Sequence, residues 1–229
     1  GSGAVMGSKK LKAIAIDRSR RRVAVHDRQK LLEVSQRILE NVKTNSAERY
    51  DYGTLKILTE RANPGGWLPV KNYTTNVYPI SPEDLKKYTG EYVRGNFESK
   101  ANPCWGCQLH HCHMVKITEG PYTGEIVEEP EYEGFAAWGP QTGQTNVAAT
   151  MVLSTEVDKL GFDTNECSWL MGLVMECYEK GIINREDTDG LEMTWGNADA
   201  TRAMLRKIAH RDGFGDTLAE GTMRAARLI

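Results

Sequence analysis

Three cysteines close together predict a metal site. Cys104, Cys107 and Cys112 fall within nine residues, in the segment Cys-Trp-Gly-Cys-Gln-Leu-His-His-Cys. Thiolates are soft ligands for zinc and for iron–sulfur clusters, and this spacing lets three of them converge on one centre. A complete site needs a fourth ligand, which the loop does not obviously supply. The loop therefore predicts three ligands of an iron–sulfur cluster or of a zinc ion.

Histidines crowd the same loop, at His110, His111 and His113. One of them could be the fourth ligand, or zinc could take the place of the cluster. Histidine ligation of clusters is the minority arrangement. We therefore expect one histidine to donate a hydrogen bond to a sulfur or to a neighbouring cofactor, and the others to face solvent or packed side chains. The two remaining cysteines, Cys167 and Cys177, are expected to be structural.

The composition is that of a globular protein of one or two domains. The 229 residues are 40% apolar and 26% charged, with a formal net charge of −2, which argues against nucleic acid as the main partner. Since no apolar run approaches the roughly 20 residues of a membrane helix, no membrane span is predicted. Five cysteines, three of them clustered, favour a reducing cytoplasm over a secreted disulfide framework.

Most of the elements that must position the cysteine loop are predicted to be helices. The clearest helix spans Glu166–Lys180, where Asp163 and Glu166 suit a capping box and Gly181 ends the helix. Other helices are predicted at Asp27–Val42, at Asp51–Ala62, from Ser81, through much of the chain after Thr145, from Asn197 to His210, and after the turn Asp212–Asp216.

Strands are fewer. Leu11–Ile16 is strand-like and follows a predicted loop at Gly1–Lys10. Val115–Thr118 and Glu125–Val127 flank the turn residues Gly120–Gly124, which predicts a β-hairpin directly after the cysteine loop. The chain opens without Met and stops within a helical pattern. We expect an internal piece of a larger polypeptide; the alternative is that Gly-Ser-Gly is a cloning remnant.

Several motifs, taken together and in order, resemble the aldehyde:ferredoxin oxidoreductase family. They are Gly3–Lys9, the cysteine loop, Pro130–Glu133, Asp158–Asp163 and Asp212–Gly221. The resemblance covers essentially the whole chain. It implies a mainly α fold: a multihelical middle domain with a short N-terminal β or loop piece and a hairpin after the cysteine loop. Residues 1–20 would end an N-terminal pterin-binding β domain, and residues 21–229 would form an incomplete helical domain that binds the cluster and pterin.

The family's cofactors would follow from that resemblance. Its enzymes hold tungsten, sometimes molybdenum, between two pterin dithiolenes beside a [4Fe–4S] cluster. Cys104, Cys107 and Cys112 would ligate the cluster, with a fourth cysteine from outside this chain. Four residues separate Cys107 from Cys112, where the family more often has three, so this loop carries an extra residue.

The first glycine segment would contact the pterin phosphates. The residues implied by the resemblance are Gly3, Ala4, Val5, Gly7 and Lys9, and the carbonyl of Ala4 would help to hold a bridging magnesium. Taken alone, the segment is typical of a plain tight turn that leaves backbone groups accessible to a phosphate or its cation.

The second glycine motif would bind the pterin ring. Asp158, Gly161 and Asp163 match the family's Asp-x-x-Gly-Leu-Asp pattern, with Phe162 in the leucine position. Carboxylates suit the amino and ring N–H donors of a pterin. Without the resemblance, the same residues would predict an ordinary junction between two helices.

An acidic run supplies the candidate catalytic residues. Glu128, Glu129, Glu131 and Glu133 would by themselves indicate a solvated strand. By the resemblance, Glu133 best matches the family's active-site glutamate, and Glu131 is the close alternative. Such a carboxylate could exchange a proton as the aldehyde becomes a carboxylate. The stretch Val152–Thr155 lacks the Glu-x-x-His that holds an iron between subunits in some members, so that site is expected to be absent.

The resemblance predicts oxidation of an aldehyde, with electrons passing through the cluster to ferredoxin. The piece by itself is expected to be inactive. A low-potential reductase of the same family, acting on an aromatic acyl thioester, is a second hypothesis. An electron-transfer or zinc-stabilised module without pterin is a third.

Overall fold

The computed structural model describes residues 2–16, 23–62, 66–109 and 111–229. Over these residues the chain is mainly helical, which confirms the predicted fold class. Its elements are α1 Ser2–Ser8, α2 Arg28–Asn45, α3 Ala47–Tyr52, α4 Lys56–Ala62, α5 Pro82–Lys86, α6 Gly90–Asn96, β1 Glu98–Ala101, β2 His113–Lys116, β3 Ile126–Glu128, α7 Tyr132–Trp138, α8 Val147–Lys159, α9 Thr164–Glu179, α10 Ala198–His210, α11 Phe214–Leu218 and α12 Thr222–Ala225. His110 and the predicted domain boundary at residues 20 and 21 lie outside the described residues.

The N-terminal segment differs from its prediction. The expected loop at residues 1–10 is largely the helix α1, and the turn after it is closed by Lys10 N, which donates to Gly7 O at 2.9 Å. Leu11–Ile16, predicted as a strand, has no strand assignment and is exposed. A strand is stable only beside another strand, and the described residues provide no partner here.

Helix predictions in the next segment were correct except for one break. Asp27 caps α2 by accepting from Lys30 N at 2.9 Å. The predicted helix Asp51–Ala62 is divided into α3 and α4, because Gly53 takes a φ of 60°. A left-handed residue interrupts the helical hydrogen bonds, and glycine adopts that conformation at little cost.

The small sheet confirms the predicted hairpin and adds a strand. β2 and β3 pair antiparallel, with Val115 opposite Val127. β1, of sequence Glu-Ser-Lys-Ala, pairs with the other side of β2. Its four residues are all exposed, so no apolar alternation marked it as a strand.

Two apolar clusters meet at a shared wall made of α7 and α8. Phe135 and Met151 pack into the cluster that contains the sheet, whereas Trp138 and Leu153 pack into the cluster with α9 and α10. Residues Val147–Val157 of α8 are all buried, as expected of a helix that is covered on every side. This wall fixes the positions of the residues at the ends of α7 and α8.

The C-terminal helices begin where their caps predict. Asp163 Oδ1 accepts from Glu166 N at 2.8 Å at the start of α9, and Asn197 Oδ1 accepts from Ala200 N at 3.1 Å at the start of α10. The predicted turn Asp212–Asp216 is partly helical, because α11 begins at Phe214. The helix predicted after it is interrupted, because Gly221 at φ 87° separates α11 from α12. None of the helices in the described ranges has the length and apolarity needed to cross a membrane.

Candidate cluster and cofactor site

The cysteine loop joins β1 to β2. Asn102 N donates to Cys112 O at 2.8 Å, so the loop closes on itself where the two strands meet. Cys107 N donates to Cys104 O at 3.1 Å, and Gly106 between them has a φ of 73°. Cys104 is exposed, and the other two thiols are partly buried. The sheet therefore presents all three thiols on one short, hydrogen-bonded loop.

The most compact group of ligand atoms in this region is His111, Cys112 and Glu131. Their Nε2, Sγ and carboxylate oxygen lie within 4.8 Å of one another, and among the described residues no equally compact group contains all three thiols.

An ion pair that sequence reasoning missed holds the end of the loop. Arg94 on α6 makes a two-pronged contact with Glu129, from Nε to Oε1 and from Nη2 to Oε2, each at 2.8 Å. The Glu129 side chain is 3% exposed. Arg94 Nη2 also donates to His111 O at 2.6 Å, and Nη1 donates to Asp51 O. One guanidinium thus ties the loop to β3 and α3.

Strand pairing places the acidic run beside the loop. Because β2 pairs with β3, Glu129 N donates to His113 O at 2.8 Å. His113 Nδ1 lies 2.9 Å from His111 O and 3.5 Å from the Glu129 carboxylate. Glu131 and Glu133 follow at the start of α7. The run therefore starts with exposed Glu128 at the end of β3 and continues through a loop into the start of α7, so only its first residue belongs to the solvated strand that its composition favoured.

A cavity of about 210 Å³, here named the cysteine-side cavity, collects four of the predicted residues. Cys112, Glu131, Glu133 and Asp158 all line it. Burial, aided by the Glu131 charge, raises the pKa of Cys112 to about 11. Burial also raises the pKa of Asp158. Protein groups alone thus leave the thiol protonated at neutral pH, and a bound metal would have to displace that proton.

The pKa of Glu131 shifts in the opposite direction to the pKa values of Cys112 and Asp158 in the same cavity. Burial by itself would raise its pKa, but hydrogen bonds from His111 and Thr54 outweigh that and lower it. Thr54 Oγ1 donates to Glu131 Oε2 and accepts from Tyr132 N at 2.8 Å. Neither Thr54 nor Arg94 belongs to a motif, so only distance in space, not spacing in sequence, shows their part in the site.

A second cavity, the glycine-side cavity, lies beyond the C-terminal end of α8. It measures about 690 Å³, and its lining includes Gly3, Ala4, Gly161 and Asp163. A Cβ placed on Gly3 would lie 3.8 Å from Gly161 O, so the two glycine segments approach each other closely. The structure thus brings together two motifs about 160 residues apart in the chain.

Not every residue of the predicted pterin set lines that cavity. Val5, Gly7 and Lys9 do not, and all three are exposed. Asp158 lines the cysteine-side cavity instead. Asp163 uses Oδ1 to cap α9.

The fold is shared with a solved structure. The active-site complex BamBC of benzoyl coenzyme A reductase, in complex with 1,5-dienoyl-CoA, superposes with a TM-score of 0.73 and 21% identity. The match covers 98% of this chain and 34% of that chain. At this identity the similarity concerns the fold.

The family is shown by sequence. Residues 30–229 match the family model described as aldehyde ferredoxin oxidoreductase, domains 2 and 3. The chain therefore belongs to the aldehyde ferredoxin oxidoreductase family, as its motifs predicted.

Individual relatives agree with this assignment. A tungsten-containing aldehyde ferredoxin oxidoreductase of Pyrococcus furiosus is 37% identical over 230 residues, covering 99% of this chain, and that of Thermococcus kodakarensis is 34% identical over 232 residues, covering 100%. An aliphatic sulfonate oxidoreductase, WOR-like subunit, of P. furiosus is 31% identical over 240 residues. The chain spans 36–37% of the length of these relatives.

Proposed function

We propose that this chain is the cluster- and pterin-binding part of a tungsten (or molybdenum) oxidoreductase that oxidises an aldehyde to a carboxylic acid. The observation that carries the proposal is the arrangement around the end of α8. Cys112, Glu131, Glu133 and Asp158 line one cavity there, and Gly3, Ala4, Gly161 and Asp163 line the other. The aldehyde oxidoreductases of Pyrococcus and Thermococcus support the same reaction.

The donor set of the loop fits a [4Fe–4S] cluster. Cys104, Cys107 and Cys112 would be three ligands, and a fourth would come from elsewhere in the protein. The Arg94–Glu129 pair holds the backbone of the loop at His111, next to the third cysteine. That anchor limits how far Cys112 can move, which favours a preorganised ligand over a mobile one.

The glycine-side cavity fits a bulky, polar cofactor such as a bis-pterin. Gly3 and Gly161 leave backbone exposed at its wall, and Asp163 adds a carboxylate. Thr222 Oγ1 is a buried hydroxyl with no hydrogen-bond partner among the residues that the structure describes, and Thr222 N donates to Glu166, which lines this cavity. Gly3, Ala4, Gly161 and Asp163 would contact the pterin, and the carbonyl of Ala4 would help to hold the bridging magnesium. For Val5, Gly7 and Lys9, which do not line the cavity, only the resemblance supports a role.

A bound metal–pterin centre would supply two-electron redox chemistry and a bound cluster one-electron transfer, with ferredoxin as the proposed acceptor. The residues of this chain hold the cofactors and manage protons. Glu133 and Glu131 both line the cysteine-side cavity. Hydrogen bonds from His111 and Thr54 outweigh burial and lower the pKa of Glu131, which makes its carboxylate a weaker base for proton exchange. Glu133 is the other candidate for the proton exchange.

The ligand assignment is tested in the full-length protein. Cys107→Ala should abolish the low-potential iron–sulfur EPR signal, because a cluster that loses a thiolate is labile. Cys177→Ala is the matched control, since Cys177 is buried in the core on α9. An unchanged signal in Cys107→Ala would refute the assignment.

A second candidate function is reduction of an aromatic acyl thioester. It is favoured by the fold shared with the benzoyl coenzyme A reductase complex. Aldehydes and aromatic thioesters, offered in parallel to the full-length enzyme with a viologen dye, separate the two reactions. Tungsten content and pterin fluorescence separate both from a metal-stabilised module without pterin, which would contain neither.

A further inference from the structure

We propose that His111 is a positioning residue that links the third cluster ligand to the carboxylate of Glu131 and raises the reduction potential of the cluster. This inference rests on the proposed function. His111 Nε2 lies 2.6 Å from Glu131 Oε1 and 3.5 Å from Cys112 Sγ. Both contacts are made by the same ring nitrogen, so a hydrogen on Nε2 would be shared between the Glu131 carboxylate and a Cys112 thiolate. This nitrogen therefore joins the loop to the cavity wall.

The ring of His111 is fixed from several sides. A Cβ on Gly53 would overlap the Cδ2 and Cγ atoms of the ring, so the glycine backbone packs directly against the imidazole. The backbone of His111 is held through its carbonyl, which accepts from Arg94 at 2.6 Å. Thr54 fixes the second oxygen of Glu131. The bridge is therefore part of a built site and not a single flexible contact.

His111 lies at the end of the cysteine loop. Four residues separate Cys107 from Cys112, and His111 is the last of them. It lies directly before Cys112, where the loop rejoins β2. Its imidazole is therefore close to the sulfur of the third cysteine.

The physical consequence is electrostatic. Hydrogen bonds to cluster sulfurs withdraw electron density and favour the reduced, more negative cluster, which raises its potential. A nearby carboxylate does the opposite, because it repels the added electron. His111 and Glu131 thus act on the cluster with opposite signs, although they contact each other.

The test is an EPR-monitored redox titration of the full-length enzyme. His111→Phe should lower the cluster potential, so that at a fixed potential the ratio of reduced to oxidised cluster falls about tenfold, equivalent to about 59 mV for one electron. His111→Gln, whose side-chain N–H can take the place of Nε2–H, should restore most of the parent potential. Glu131→Gln should move the potential upward.

A control and a second variant keep the test decisive. His210→Asn changes an exposed histidine at the end of α10, and it should leave the potential unchanged. Gly53→Ala keeps the imidazole but forces its ring to move, and it should lower the potential as His111→Phe does. Equal potentials in the parent, His111→Phe and Gly53→Ala would overturn the proposal, as would a downward shift in Glu131→Gln.

Failure of the proposed function gives a different result. If the parent enzyme shows no cluster signal, or if Cys107→Ala keeps the parent signal, the ligand assignment is wrong. If the parent signal is present, depends on Cys107 and does not respond to His111, only the role of His111 is wrong.

Discussion

The two cavities at the end of α8 are built in different ways. The cysteine-side cavity is assembled from polar contacts between distant segments: Arg94 with Glu129, and His111 and Thr54 with Glu131. The glycine-side cavity is framed by helices, with buried Leu170 and Leu218 in its wall and positive-φ glycines at Gly161 and Gly221.

The two cavities therefore show two kinds of preorganisation, one by polar contacts and one by packing. A polar network holds side chains in fixed orientations, and its energy is sensitive to charge and to the loss of any one partner. A frame of helices and glycines holds a shape, and its energy depends on packing and backbone strain. The first suits a site that must orient ligands and protons, and the second suits a site that must contain a large cofactor.

The largest expected effect is on the polar network. Arg94→Met should destabilise the protein by about 3–5 kcal/mol, because it leaves the buried Glu129 without its partner. Chemical denaturation measures this, and Lys116→Met is the matched control. Lys116 forms an exposed pair with Glu98, so its loss should cost less than about 1 kcal/mol. Similar losses in both variants would show that the buried pair does not hold the cysteine side.

Replacement of Asp158 tests whether this residue contributes to pterin binding or to the cysteine side. Asp158→Asn in the full-length enzyme should lower pterin content, because the loss of a hydrogen bond to a charged group would weaken pterin binding by about 1.5–3 kcal/mol. The free energy of unfolding should change little. Pterin fluorescence after denaturation measures occupancy. Parental occupancy in Asp158→Asn, together with a shifted cluster potential, would assign Asp158 to the cysteine side, whose cavity it lines.

Backbone strain is the corresponding test of the glycine side. Gly161→Ala should cost about 1–2 kcal/mol, because φ is 75° and an L-residue is strained there. The added Cβ meets no atom within 4 Å, so the cost is strain and not collision. Gly181→Ala, at φ 68° and also in open space, is the control. Both should lose stability in thermal melts, but only Gly161→Ala should also lower pterin content; equal pterin content in the two would argue against a cofactor in this cavity.

The smallest effect is a pH dependence outside both cavities. Burial alone would raise the pKa of Glu156, but hydrogen bonds and charges from Arg206 and Arg202 lower it. The folded protein therefore binds this proton less readily than the unfolded chain, whose glutamate pKa is about 4.3. The stabilisation is complete above that value and is lost as the pH falls below it. Glu156→Gln should flatten the stability profile between about pH 5 and 3; an unaltered acid limb would show that the two arginines contribute nothing there.

Local signals in the sequence were sufficient for the helices α2, α9 and α10, but α1 and α7 were not predicted. Asp163 and Asn197 cap the helices that they were expected to cap, because capping involves only neighbouring residues. The hairpin after the cysteine loop was found from its turn residues. The strand prediction at Leu11–Ile16 was wrong, because the residues of one segment do not show whether a partner strand lies beside it. β1 was missed because its exposed residues show no period.

The sequence by itself determined the family, the mainly helical fold and the residue types of the site: three thiols in a loop, two glycine motifs and an acidic run. Those signals are local, because spacing along a loop or a helix translates directly into chemistry. Only the tertiary structure decided that Arg94 anchors the loop, that His111 connects Cys112 to Glu131, and that Asp158 and Asp163 line different cavities. These residues are brought together by strand pairing and by the α7–α8 wall, so their spacing in the chain does not predict that they meet.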